Sequence, residues 1–287
     1  RLMCNVLNGG KHADNGISIQ EFMIVPNQGN LLKDVQAASE IYHSLKKLLQ
    51  AHGKSTALGD EGGFAPDVND SSSGQNGENY FQEQVKLPTE RALDYLLEAI
   101  AKSDYSTVDC QLALDAAANE FFVPEKKAYL LDNQELNQTT LTEFYAQLVE
   151  KYPLISIEDG FSEDDVLGWQ VLTEMLGKKI HLIGDDIFVT NPRRFAEVGL
   201  SNHVANGVLI KLNQIGSVSE TCAMINQAKD NQYITVVSHR SGETTDDFMS
   251  DLAFAAQSEF IKLGAPARGE RVAKYNRLIE IYHSLID

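Results

Sequence analysis

The sequence has no apolar run near the ~20 residues of a membrane span. Its opening stretch, "RLMCNVLNGG", lacks a long apolar core and a small-residue cleavage site, so it does not read as a signal peptide. Basic residues are scarce: 24 Lys+Arg stand against 41 Asp+Glu, a net charge of −17. That balance argues against nucleic acid or an anionic membrane surface as the main partner. A small anionic ligand stays open, because local charge sets a site. Only three cysteines occur, Cys4, Cys110 and Cys222, far apart and without a CxxC pair. They read as buried thiols in a reducing compartment, not as a disulfide framework or a zinc site. A soluble cytoplasmic protein is the expectation.

No proline- or glycine-rich linker divides the chain. One polar stretch without periodicity, "DVNDSSSGQNGENYFQEQVK" (67–86), reads as a mobile surface loop. Elsewhere, short β-branched runs alternate with segments of helical period. "FMIVP" is followed by the amphipathic Leu31–Gly53, and "LISIEDG" by "EDDVLGWQVLTEML". "IHLIGDD", "NGVLIKLNQ" and "YITVVSHRSG" are likewise each followed by a helical pattern. "TALGDEGG" reads as a short strand end and loop. Such alternation predicts a parallel sheet with helical crossovers. The 287 residues suit one α/β domain, a TIM-like (β/α)8 barrel over residues 1–287. The first part is less regular, with two early strands before the first long helix.

Catalytic groups of such barrels sit at the C-terminal ends of the strands. The polar residues there are Glu21 (just before "FMIVP"), Glu61, Asp115, Glu158, Asp185, Lys211, His239 with Arg240, and Lys262. Successive ends supply carboxylates and then cations, which predicts an acidic side and a basic side of the barrel mouth. Asp115, Glu158 and Asp185 together suggest a hard cation, Mg²⁺ in preference to Zn²⁺, since no Cys or His shares their spacing. Ion pairing with neighbouring Lys or Arg, or capping of the next helix, is the plainer alternative. Lys211, flanked by apolar residues, is either a snorkelling side chain or a buried base whose pKa is lowered by burial and nearby cations. Arg240 and Ser241 in "SHRSGE" can grip a phosphate. His239, His12 in "NGGKHADNG" and Glu61 in "GDEGG" each fit a structural role as well as a functional one.

The stretches "NGGKHADNGISIQEFMIVP", "GDEGGFAP", "LALDAAANEFF", "SIEDGF", "GDDIFVTNP", "LIKLNQIGSVSET", "VSHRSGET" and "IKLGAPARGERVAKYN" resemble, in order, the enolase family. The resemblance implies an enolase-type barrel and Mg²⁺-dependent interconversion of 2-phosphoglycerate and phosphoenolpyruvate plus water, in glycolysis and gluconeogenesis. It implies Asp115, Glu158 and Asp185 as Mg²⁺ ligands, Lys211 as the base, and Glu61 as the acid with Glu21 beside it. Arg240 and Ser241 would grip the phosphate, with His12 near them. Lys262 would stand at the substrate carboxylate, and His239 matches the family's active-site histidine. A homo-oligomer, a dimer, is the family's habit. Its members carry a capping domain before the barrel, and this sequence opens at the barrel. Two alternatives stay open. One is a truncated, catalytically impaired homologue acting as a binding protein. The other is an acid dehydratase of the same superfamily, against which the "SHRS" grip argues.

Overall fold

The computed structural model describes residues 1–68 and 86–286. The surface loop expected over 67–86 therefore lies, apart from its ends, outside the described residues. The first strands are β1 (Leu2–Asn8), β2 (Glu21–Pro26) and β3 (Cys110–Asp115). A small antiparallel sheet follows, made of β4 (Phe122–Val123), β5 (Ala128–Leu131) and β6 (Gln134–Leu136), which the sequence reading did not anticipate. Then come β7 (Leu154–Glu158), β8 (His181–Gly184), β9 (Gly207–Ile210), β10 (Ile234–Ser238) and β11 (Phe260–Lys262). The helices are α1 (Leu31–Ala51), α2 (Pro88–Lys102), α3 (Gln138–Lys151) and α4 (Val166–Leu176), then the short α5 (Pro192–Arg194) and α6 (Leu212–Ile215). The last are α7 (Val218–Asp230), α8 (Phe248–Ala255) and α9 (Gly269–Ile286).

Eight strands close a barrel in the order β1-β11-β10-β9-β8-β7-β3-β2. The expected all-parallel sheet needs one correction: β2 runs antiparallel to both β1 and β3. The β1–β2 connection holds only a short 3-10 turn at Gly10–His12. Without a helical crossover the chain can only return antiparallel. Two helices, α1 and α2, then separate β2 from β3, and β3 runs antiparallel to β2, back in the direction of β1. As a result Glu21, the first residue of β2, lies opposite Asp115, the last residue of β3.

"TALGDEGG" forms no strand. Phe64 makes isolated bridges to Leu7 and Leu58. The loop leans on β1 through Phe64 N to Val6 O (2.9 Å) and Asn8 N to Phe64 O (2.8 Å).

Period-two alternation fills the barrel. Met3, Met23, Val25, Ala113, Ile183, Leu209, Val236 and Phe260 form the inner cluster. Their neighbours, such as Leu2, Leu112, Leu114, Leu182, Ile210, Val237 and Ile261, join the larger core outside the barrel. Side-chain caps start several helices: Asn30 accepts from Lys33 N (3.0 Å) at α1, and Ser217 caps α7. Cys4 and Cys110 are buried as expected, but Cys222, on the outer face of α7, is exposed. Among the described residues no helix is long and apolar enough to cross a membrane.

Candidate active site

The inward face of each strand continues past the apolar cluster into charge. Two residues beyond Ala113 comes Asp115, beyond Ile183 Asp185, beyond Leu209 Lys211, and beyond Phe260 Lys262. Glu21 precedes Met23 by the same interval, on the strand that runs the other way. Around the rim the acidic residues begin β2 (Glu21), end β3 and β7 (Asp115, Glu158) and follow β8 (Asp185), and Lys211, His239 and Lys262 follow or end β9, β10 and β11. The expected two sides exist in the backbone order. The side chains, however, cross and meet.

Lys262 Nζ lies 3.0 Å from Asp115 Oδ2 and 3.1 Å from both carboxylate oxygens of Glu158. Glu21 Oε2 is an ion-pair partner at 3.0 Å, without hydrogen-bond alignment. Lys211 Nζ bonds Asp185 Oδ2, and Gln214 Nε2 donates to Asp185 Oδ1 (3.1 Å). Asp159, in left-handed backbone at φ +43°, accepts the amides of Asp185 and Asp186, each at 2.9 Å, one on each oxygen. It thereby fixes the turn that aims Asp185.

Glu61 arrives on the loop beside β1. Asn5 Nδ2 donates to its Oε2 at 3.0 Å, and His239 Nε2 faces the same oxygen at 3.3 Å. Ala265 N donates to Glu61 O (2.9 Å), which brings the loop against Gly264. At φ +79°, with Glu61 O only 2.6 Å from where a Cβ would sit, position 264 admits only glycine without rearrangement. Ser241 Oγ lies 3.3 Å from His12 Nε2, and Arg240 Nη1 donates to Asn213 Oδ1 at 2.8 Å.

These groups surround a cavity of about 320 Å³. Ten of the eleven residues singled out from the sequence line it; the eleventh, Glu158, lies behind Lys262, fully buried. Six buried carboxylates, Glu21, Glu61, Asp115, Glu158, Asp159 and Asp185, face two ammonium groups, Lys262 and Lys211. The excess of negative charge has a price in proton affinity. Burial, reinforced by Asp115, pushes Glu158 well above the usual carboxylate range. Burial and Asp185 do the same to Asp159, and burial and Glu61 to Glu21.

Glu61 and His239 pull in opposite directions. Burial raises Glu61, but His239, Lys262 and His12 outweigh it and hold Glu61 low. Burial lowers His239. Arg271 Nη1 sits 2.5 Å from His239 Nδ1 and bears only hydrogens, so the ring is neutral. With the ring neutral, the groups that meet the Glu61 carboxylate are the Lys262 charge and the N–H donors of Asn5 and His239.

Lys211 differs from expectation. Burial and Lys262 lower its pKa, but Asp185 and Glu158 outweigh them, and the net shift is upward. The ammonium stays charged because Asp185 is bonded to it.

The donor set fits a hard divalent cation. Among the described residues, two sets of ligating atoms converge within 4.8 Å: Asp159, Asp185 and Asp186; and His12, Glu21 and Glu61. A cation in the second set would face the Lys262 ammonium, 3.0 Å from Glu21. The first is all-oxygen, as Mg²⁺ prefers. Of the three expected ligands only Asp185 belongs to such a set. Asp115 and Glu158 turn instead to Lys262, the ion pairing held open above. Sequence reasoning missed Asn5, Asp159, Asp186, Gln214 and Arg271. The doubled acids of "IEDG" and "GDDIF" were a signal for Asp159 and Asp186; Arg271 had none.

A family model described as "Enolase, C-terminal TIM barrel domain" matches residues 2–287. The enolase of a Nitratiruptor species is 49% identical over 286 residues, 99% of this chain and 63% of that protein. The enolase of Elusimicrobium minutum is 48% identical over 284 residues, 99% of this chain and 62% of that protein. The chain thus spans somewhat under two thirds of the length of these curated relatives.

Proposed function

The chain belongs to the enolase family, and on that premise we propose that it forms the catalytic barrel of a lyase interconverting 2-phosphoglycerate and phosphoenolpyruvate plus water. The observation that carries this reading is a diametric placement. Lys211 follows β9, four strands round the barrel from β2, whose first residue is Glu21. A base and a proton-holding acid pair thus face the cavity from opposite walls.

In this reading Asp115, Glu158 and Asp185 would hold Mg²⁺ once Asp115 and Glu158 are released from the Lys262 ammonium, with Asp159 orienting Asp185. Bound there, Mg²⁺ supplies positive charge that stabilises the negative charge gathering on the substrate carboxylate as the α proton leaves. Arg240, Ser241 and His12 grip the phosphate. Lys211 takes the α proton on Nζ. To do so it must be released from Asp185 and the Glu158 charge must be offset; burial and the Lys262 charge then both favour the neutral amine. Lys262 adds its charge at the carboxylate end. Glu21 and Glu61 share one proton, resident on Glu21, and deliver it to the departing hydroxide, which leaves as water. The family likeness supports work in glycolysis and gluconeogenesis, in the cytoplasm, as a homo-oligomer.

The test is Mg²⁺-dependent appearance of enolpyruvate ultraviolet absorbance from 2-phosphoglycerate. A folded, Mg²⁺-binding chain that yields none at high concentration would contradict a catalytically complete barrel. Turnover of an unphosphorylated acid alone would contradict the substrate.

A further inference from the structure

Arg271 lies on the first turn of α9, fully buried and outside the lining of the cavity. A cation at a helix N-terminus opposes the helix dipole, and burial of a guanidinium is costly without strong partners. Its partners come from two separate loops of the site. Nη1 contacts His239 Nδ1 at 2.5 Å and donates to Arg240 O at 2.6 Å. Nη2 donates to Ser241 O at 2.6 Å and to Asp60 O at 3.1 Å. One planar fork therefore ties the residue before Glu61 to three successive residues of the "SHRSGE" loop.

A guanidinium has five N–H donors, no acceptor, and keeps its charge. The imidazole nitrogen it touches must offer a lone pair. The ring hydrogen is then on Nε2, which is buried, on the cavity side, and has no aligned hydrogen-bond partner among the described residues. An N–H donor is thus presented toward Glu61 Oε2, 3.3 Å away. The charged and titratable groups facing the ring are Glu61, Arg271 and Lys262.

We propose that Arg271 is a positioning residue: it fixes His239 as the neutral Nε2–H tautomer and registers the Glu61 loop against the Arg240–Ser241 loop. The geometry stands by itself, while its bearing on catalysis rests on the enolase reading of Glu61 and His239. Turning the carbonyls of Arg240 and Ser241 back onto a buried cation also keeps two acceptors away from a phosphate held by those side chains. Lysine cannot replace this fork, since one ammonium cannot span an imidazole and three carbonyls.

The test is two-bond ¹⁵N–¹H correlation of the His239 ring in the full chain, between about pH 5 and 8. In the unsubstituted protein a single tautomer is expected throughout, with Nε2 protonated and Nδ1 unprotonated. An Nδ1–H tautomer, or an imidazolium at neutral pH, overturns the proposal without any variant. In Arg271→Met, and in Arg271→Lys should the first not fold, His239 is expected to lose the fixed tautomer and protonate on acidification. A folded variant with unchanged His239 signals also overturns it. Because no turnover is read, an inactive chain would count against the proposed reaction and leave this result standing.

Discussion

Lys262, on the last barrel strand, reaches across the mouth to Glu158 and meets both of its carboxylate oxygens at 3.1 Å. Both residues are buried, and Asp115 and Glu21 close on the same ammonium at 3.0 Å. One lysine therefore offsets part of the negative charge of a cluster that would otherwise repel itself more strongly.

Removal of that ammonium is costly. Lys262→Met leaves three buried carboxylates without their counter-ion, and breaking a buried pair from one side destabilises by about 3–5 kcal/mol. Urea denaturation at neutral pH measures it. A change within about 0.5 kcal/mol, the range of surface substitutions, would show that the cluster is not held this way.

Asp159 predicts a loss of metal affinity without being named among the expected ligands. Both its oxygens accept the amides that shape the Asp185–Asp186 turn, and an amide side chain can accept on only one. Asp159→Asn is expected to weaken Mg²⁺ binding about 10–100-fold, as for other groups that orient ligands. Calorimetric titration of the variant against the unsubstituted chain checks it; equal affinity would contradict the role.

Glu21 carries a pH dependence of definite sign. Burial and the Glu61 charge raise its folded-state pKa above the unfolded value. Its contribution to stability is complete below the ordinary carboxylate pKa and fades as pH rises through the folded value. Glu21→Gln, which imitates the protonated acid, should lose that part of the decline. Denaturation midpoints compared from mildly acidic to mildly alkaline pH test it. An equally steep fall in the variant would mean that Glu21 is already ionised.

Lys211 separates two effects. Lys211→Ala should lower turnover by about 10²–10⁴-fold, the usual worth of a general base. It also frees Asp185 Oδ2 from its ammonium partner, so Mg²⁺ should bind at least as tightly. Weaker Mg²⁺ binding in this variant would contradict the competition between lysine and cation for Asp185.

Strand-end chemistry was legible in the sequence because the strand period is two: residues such as Asp115, Lys211 and Lys262 share a face with apolar neighbours two positions earlier. The direction of β2 was not legible from its own residues, since alternation reads the same both ways. Only the helix-free link after Asn8 encodes it. The protonation of Lys211 was hidden because it depends on Asp185, 26 residues away. Arg271 was hidden for a similar reason: nothing in "RGERVAKYN" announces that a helix N-terminus will turn a guanidinium inward. Asp186 and Asp159 were visible as doubled acids, yet which of each pair faces the cavity and which holds the turn is a matter of local backbone geometry.

The buried acidic mouth is proposed to be a divalent-cation site centred on Asp185. Calorimetric titration of Mg²⁺ into the chain at neutral pH, alongside Asp185→Asn, tests it most directly. Saturable binding that Asp185→Asn abolishes or severely weakens is the predicted result. No binding by the folded chain, or binding that Asp185→Asn leaves unchanged, would contradict it.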